Sequence, residues 1–211
     1  MIDRRSFLAN ALATATTTAG TMVAATAAAS LSGCASMMGR GWISLVDAAA
    51  GQSLAGFTEI GAGNWSFVDG ALQGQGGKLG YLVTKESYTD FEIRAEFWAD
   101  EPANSGIFLR CQDRDKVGSD NAYEVNIFDK RPDPSYGTAA IVDFAKAPLP
   151  YPQAANRWNT FVITAKGDRL VVVFNGQQTV DVRNDKFKSG PVALQSAGGT
   201  IRFRKVSIKP L

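Results

Sequence analysis

The 211-residue chain contains no histidine. That absence removes Ser-His-Asp and Cys-His catalysis, zinc sites built on imidazole, and any imidazole pH switch. Cysteine is nearly absent too: Cys34 and Cys111 could form at most one disulfide. A large excess of either charge is also missing. Twenty-two basic residues face 20 acidic ones for a net charge of +2, so no strong field awaits a polyanion and nucleic acid is not expected as a partner. What remains is ordinary globular composition, 45% hydrophobic and 20% charged, which excludes a disordered or fibrous chain. Any chemistry must run on carboxylates, amides, arginines, hydroxyls or a hard metal ion.

The N-terminus opens Asp3-Arg4-Arg5-Ser6-Phe7-Leu8, and no charge follows until Arg40, leaving 34 uncharged residues from 6 to 39. A membrane span needs about 20 apolar residues. Between Ser6 and Gly33, however, only Phe7, Leu8, Leu12, Met22, Val23 and Leu31 are strongly apolar, and the rest is largely Ala, Thr, Ser and Gly. This composition suits a signal-peptide h-region better than an anchor. The arginine pair resembles a twin-arginine export signal. Leu31-Ser32-Gly33-Cys34-Ala35 resembles a bacterial lipobox, in which the Cys34 thiol receives a diacylglycerol and becomes the new N-terminus. Cleavage at Ala27-Ala28-Ala29 with Cys34 as a passenger is the alternative. The expected organisation is a signal peptide at 1–33, a short tether at 34–41 and a single domain at 42–211. A lipid-anchored protein facing the periplasm or carried by the outer membrane follows. Acyl chains hold a domain to a bilayer with about 0.8 kcal/mol per buried methylene. With Cys34 acylated, Cys111 has no partner in the chain, and its place in an apolar alternating run makes it a buried core residue.

Beyond residue 40 no heptads, internal repeats or helix-length 3.6-residue stripes occur. Short alternating or β-branched runs are punctuated by Gly, Asn, Asp and Pro. Strands are expected at 65–68 and 71–73 around an Asp69-Gly70 turn, then at 79–84, 91–98, 105–112, 123–128, 139–144 and 158–165. Leu170–Phe174 and Gln177–Val182 flank Asn175-Gly176, a strong hairpin signal. Strands at 191–196 and 201–209 close the domain. Ile201 and Phe203 are out of phase with Val206 and Ile208, which predicts a bulge near Arg204-Lys205. About ten short strands without helices predict an all-β, two-sheet antiparallel sandwich or jelly roll.

Phasing the strands by their apolar residues places Ile107, Leu109, Cys111, Val125, Ile127, Val192 and Leu194 inward. The opposite faces offer Phe108, Arg110, Glu124, Asn126, Phe128 and Gln195, with Glu96 and Trp98 on the neighbouring run. Acid, amide, guanidinium and aromatic ring on one face suit a sugar, because polar groups bind vicinal hydroxyls and rings stack on a pyranose. Cross-strand ion pairs, Glu96–Arg110 or Arg110–Glu124, are the plainer alternative.

Several motifs occur in one order: Gly41-Trp42-Ile43-Ser44-Leu45-Val46-Asp47, Asn104-Ser105-Gly106-Ile107 with Arg110, Tyr123-Glu124 with Asp129, Trp158-Asn159, Asn175-Gly176, Leu194-Gln195, and the run Arg202 to Ile208. Together, from about Gly41 to Leu211, they resemble the 3-keto-disaccharide hydrolase domain family, whose fold is similar to the concanavalin A-like lectin and glucanase jelly roll. The resemblance implies an exported hydrolase or lyase acting on 3-keto-glycosides or disaccharides. A 3-keto group acidifies the hydrogen at C2, so a base can remove it and expel the aglycone across C1–C2. On that reading Glu124 is the base or acid, and Arg110 stabilises the enolate oxygen. Asn104, Asn126 and Gln195 orient hydroxyls or the carbonyl, with Glu96, Trp98 and Phe108 completing the substrate surface. Asp129 steers Arg110 or binds a hard cation such as Ca²⁺, Mg²⁺ or Mn²⁺.

Structural roles compete at several of these positions. Asn104 and Gly106 suit a turn, Asp129 suits a loop cap, and Trp158 and Asn159 suit support of the fold. The family commonly carries a histidine shortly after the Leu-Gln pair. Here the segment reads Leu194-Gln195-Ser196-Ala197-Gly198-Gly199, and Ile141-Val142-Asp143-Phe144 stands where a tyrosine-containing run is usual. Catalysis is then carried by carboxylates, or the domain is a non-catalytic carbohydrate-binding lipoprotein.

Overall fold

The computed structural model describes residues 41–211. The expected signal peptide, Cys34 and the tether up to Arg40 lie outside the described residues. Thirteen strands follow one another: β1 (Ile43–Asp47), β2 (Phe57–Gly61), β3 (Trp65–Val68), β4 (Ala71–Gln75), β5 (Gly80–Thr84), β6 (Phe91–Ala99), β7 (Ser105–Leu109), β8 (Tyr123–Ile127), β9 (Trp158–Lys166), β10 (Arg169–Phe174), β11 (Gln177–Arg183), β12 (Ala193–Ser196) and β13 (Thr200–Pro210). Among the described residues the only helical element is a 3-10 turn, Pro134–Tyr136, capped by the Asp133 carboxylate on the Ser135 amide.

The strands form two antiparallel sheets. The eight-stranded sheet runs β11-β10-β9-β6-β13-β4-β3, with β1 also paired to β13, and the five-stranded sheet runs β2-β5-β12-β7-β8. Alternating apolar residues from both inner faces fill the space between them. Leu82, Ile107, Leu109, Val125, Ile127 and Leu194 come from one sheet, and Ile93, Phe97, Phe161, Ile163, Phe203 and Ile208 from the other. Phe97 and Phe161 stack with centroids 4.9 Å apart at the middle of this layer.

The turns follow their residues. Asp69 and Gly70 (φ 48° and 71°) and Asn175 and Gly176 (φ 48° and 82°) make the left-handed two-residue turns that match hairpin twist. The expected bulge occurs on β13, where pairing with β6 slips between Phe203 and Lys205. The expected strand at 139–144 does not form. That segment runs along the free edge of β8 through isolated backbone bonds, Ala139 N–H to Asn126 and Val142 N–H to Glu124, with Ala139 and Asp143 at positive φ breaking any extended run. The run expected at 105–112 ends at Leu109, because Arg110 has φ 53°. Strands β1 and β2, absent from the sequence-based assignment, complete the sheets.

Every residue of β5, β7, β8 and β12 is buried. Their outer face is therefore not an open, wet surface. It carries a second apolar cluster of Tyr81, Val83, Phe108, Cys111, Val117, Ala122 and Ala193. Cys111 is a free thiol, and burial pushes it up to about 12, where it is inert.

Candidate functional site

The outer face of the five-stranded sheet is the candidate site. Cross-strand register there brings together side chains distant in sequence. On β8, Tyr123, Val125 and Ile127 enter the core, so Glu124 and Asn126 point out through the other face. Phe108 stands directly across from Glu124, and Ala193 across from Phe108. In the next row Gln195 pairs with Tyr81, and Gly106 pairs with Asn126. Gly106 does not serve a positive-φ turn. A Cβ there would come within 3.3 Å of Glu124 Cγ and Oε1 and 3.2 Å of the Val125 carbonyl, so its bare Cα makes room for the carboxyl.

Glu124 is 7% exposed, and its carboxyl takes part in no hydrogen bond or ion pair among the described residues. Burial pushes its pKa up to about 7; Arg131 pulls it down and Asp143 pushes it further up. Two neighbouring amides are also incompletely satisfied. Gln195 donates from Nε2 to the Tyr81 hydroxyl at 3.2 Å, while its buried Oε1 has no partner. Asn126 donates from Nδ2 to the Tyr136 carbonyl at 2.7 Å, and its buried Oδ1 likewise has none. One sheet face thus carries a carboxyl and two amide oxygens whose acceptor capacity is unused. Buried acceptors in that state are uncommon and call for donors.

Of the residues expected at the site, Glu124, Asn126, Gln195 and Phe108 converge on this face. Phe108 is buried edge-on against Tyr81 with centroids 5.3 Å apart, so it is a wall rather than an exposed stacking platform. The other expected members lie elsewhere. Arg110 leaves the strand at positive φ, which turns its side chain toward the Tyr123 side of the sheet rather than the Glu124 side. Its guanidinium, 1% exposed, donates to the carbonyls of Thr89 (2.8 Å from Nε), Gly167 (2.9 Å) and Phe187 (3.1 Å) and lies 3.3 Å from Asp90 Oδ1. Four partners use the fork fully, so Arg110 binds three connections together.

Glu96 and Trp98 lie on β6, in the eight-stranded sheet, because β6 pairs with β9 and β13 rather than with β7. Glu96 forms an ion pair with Arg204, and Arg202 stacks 5.3 Å over the Trp98 ring. Asp129 accepts from the amides of Ala154 (2.9 Å) and Ala155 (2.8 Å) and from the Thr138 hydroxyl (2.6 Å), which pins the ends of the long β8–β9 connection. Donor hydrogens thus already converge on both carboxylate oxygens, a poor fit to a cation ligand. Among the described residues no three acidic or cysteine side chains gather as a metal site. Asn104 contributes through its backbone, bonded to Ala197 and Gly198, and its side chain makes no hydrogen bond among the described residues. Asn159 supports the fold: its Nδ2 bonds the Ala154 and Arg157 carbonyls, and its Oδ1 accepts from Asn175.

Tyr81 belongs to the site and was missed from sequence. Tyr81 and Val83 alternate with Leu82 in β5, a legible phase, but only the β5–β12 pairing shows that this face continues the Gln195 face.

The architecture is that of a two-sheet jelly roll, and solved structures agree on the fold. A candidate glycosyl hydrolase from Parabacteroides distasonis ATCC 8503 superposes with a TM-score of 0.70 at 17% identity, covering 81% of this chain and 94% of its own. A second from the same organism gives 0.66 at 23% identity, covering 81% and 99%. The carbohydrate binding module CBM66 from Bacillus subtilis gives 0.55 at 17% identity, covering 80% and 95%. No curated protein matches the sequence. The sequence pattern of the 3-keto-alpha-glucoside-1,2-lyase-like domain matches residues 41–209, and the chain belongs to that family.

Proposed function

We propose that the domain cleaves 3-keto-glycosides by elimination across C1–C2, with Glu124 as the base. The observation that carries this reading is a buried carboxyl without a partner, tuned to about 7, beside two amide oxygens that also lack donors. A sugar ring is dense in hydroxyl donors and would satisfy Gln195 Oε1 and Asn126 Oδ1 while presenting a carbon acid to Glu124. A base with a pKa near the working pH is both available and strong enough to remove a proton made acidic by an adjacent ketone.

The step balances without a cofactor. The Glu124 carboxylate takes the C2 hydrogen as a proton, and the C–H electron pair passes to the C3 carbonyl oxygen as an enolate. As the C3 carbonyl re-forms, the pair makes the C1–C2 double bond and the C1–O bond breaks. The departing alkoxide takes a proton from water, and Glu124 returns its own to water. Water addition to the resulting enone then completes net hydrolysis.

A non-catalytic carbohydrate-binding role uses the same acceptors but requires no base, so the raised pKa of Glu124 favours the enzyme. The test is incubation of the protein with a glucose disaccharide and with its 3-oxidised form. Release of the aglycone sugar from the oxidised disaccharide alone is expected. Binding of both without turnover of either would establish the binding module instead.

A further inference from the structure

An enolate must be stabilised as it forms, and the guanidinium of Arg110 is committed to backbone carbonyls on the other side of the sheet. The face that carries Glu124 offers one other group suited to that role. Tyr81 is buried, its ring held edge-on by Phe108 at 5.3 Å and 88°. Its hydroxyl oxygen accepts from Gln195 Nε2 at 3.2 Å, and its own O–H finds no acceptor among the described residues. A phenol whose oxygen accepts a hydrogen bond is a better donor than a free one, because the amide N–H stabilises charge growing on that oxygen.

Register fixes where this donor stands. Tyr81 is opposite Gln195 on the adjacent strand, and Gly106, whose bare Cα borders the Glu124 carboxyl, belongs to the next strand, β7, in the same five-stranded sheet. Gln195 and Gly106 thus stand between Tyr81 on β5 and Glu124 on β8, all on one sheet face, an arrangement suited to a ketone oxygen on the tyrosine side and the hydrogen of its neighbouring carbon on the carboxyl side.

We propose that Tyr81 is a catalytic residue that donates its hydroxyl hydrogen to the C3 oxygen as the enolate forms, with Gln195 as its positioning residue. The inference rests on the elimination reading above. The hydrogen bond strengthens as charge moves from the C2–H bond onto the C3 oxygen, and relaxes when the carbonyl re-forms; Tyr81 ends as it began. Burial above all, with a smaller push from the Glu124 carboxylate, raises the Tyr81 pKa and keeps the phenol protonated as a donor, against the opposing pull of the Gln195 hydrogen bond.

The experiment uses the full chain with Tyr81→Phe and Glu124→Gln. Removing one oxyanion donor lowers kcat on the order of 100-fold in well-studied sites. Tyr81→Phe is expected to lose that much kcat on the 3-keto-disaccharide with KM changed less than about three-fold. A second readout is independent of turnover. The ¹³C resonance of C3 in a labelled 3-keto-disaccharide should move downfield on binding Glu124→Gln, and should not move on binding Glu124→Gln/Tyr81→Phe. Full kcat in Tyr81→Phe, or an equal C3 shift in both Glu124→Gln backgrounds, would overturn the role of Tyr81 while leaving the elimination intact. If the wild-type protein neither turns over nor binds the oxidised disaccharide, the elimination reading itself fails and Tyr81 with it.

Discussion

Glu124 and Arg110 are both almost fully buried and charged by nature, yet they meet burial in opposite ways. Arg110 is satisfied by three carbonyls and an acidic neighbour; Glu124 is left without a partner. An unpaired buried carboxyl costs stability when ionised, and it persists where function needs a tuned group. The sign follows from the shift: folded Glu124 titrates at about 7, above the ordinary 4.5, so its neutral form is favoured by the fold. Stability is therefore full below about pH 4.5 and falls as pH rises through 7, by up to about 3 kcal/mol at 1.36 kcal/mol per unit. Glu124→Gln abolishes this loss. Thermal melts should show the variant with a higher Tm than wild type above pH 8 and an equal Tm near pH 4; a difference independent of pH would contradict the burial account. Glu124 was legible from strand alternation alone. Arg110 was not, because one residue at positive φ reverses the parity on which such phasing depends.

Most strands and both tight hairpins could be read from apolar alternation and from Asp-Gly and Asn-Gly turns, and the β13 bulge from a break in phase. Sheet membership could not. Strands β6 and β7 follow one another with similar alternation, yet β6 joins the eight-stranded sheet and β7 the five-stranded one, which separates Glu96 and Trp98 from Glu124. Local periodicity says which side of a strand is buried, not which sheet receives it. The connection at 139–144 was misread because its apolar residues cover the β8 edge while its backbone turns at Ala139 and Asp143. At this scale Arg110 has its consequence: it joins the β5–β6, β9–β10 and β11–β12 connections through their carbonyls. Arg110→Met leaves those carbonyls unpaired and should destabilise the fold by roughly 3 kcal/mol in denaturant unfolding. The kcat of the folded fraction should remain within about three-fold of wild type. Lost kcat at unchanged stability would instead place Arg110 against the substrate.

Across the described residues, a sandwich in which four strands of one sheet are buried on both faces leaves few places for chemistry. Loops on the β8 side supply Arg131 and Asp143 to the electrostatics of Glu124, and Asp129 holds those loops in place. The fold class was legible from short alternating runs and turn signals, and the family from the joint order of several motifs, none of them specific alone. The grouping of the site was only half legible, since it depends on pairing between β5, β12, β7 and β8 rather than on any single motif. The central claim is that Glu124 removes the hydrogen from C2. It is tested most directly by proton NMR of a 3-keto-disaccharide whose C2 carries deuterium, followed during turnover by the wild-type protein and by Glu124→Gln. The account predicts a primary isotope effect on aglycone release for the wild-type protein, a rate that climbs with pH through about 7, and no release by Glu124→Gln. Release by Glu124→Gln at the wild-type rate, or products that retain the C2 deuterium, would contradict it.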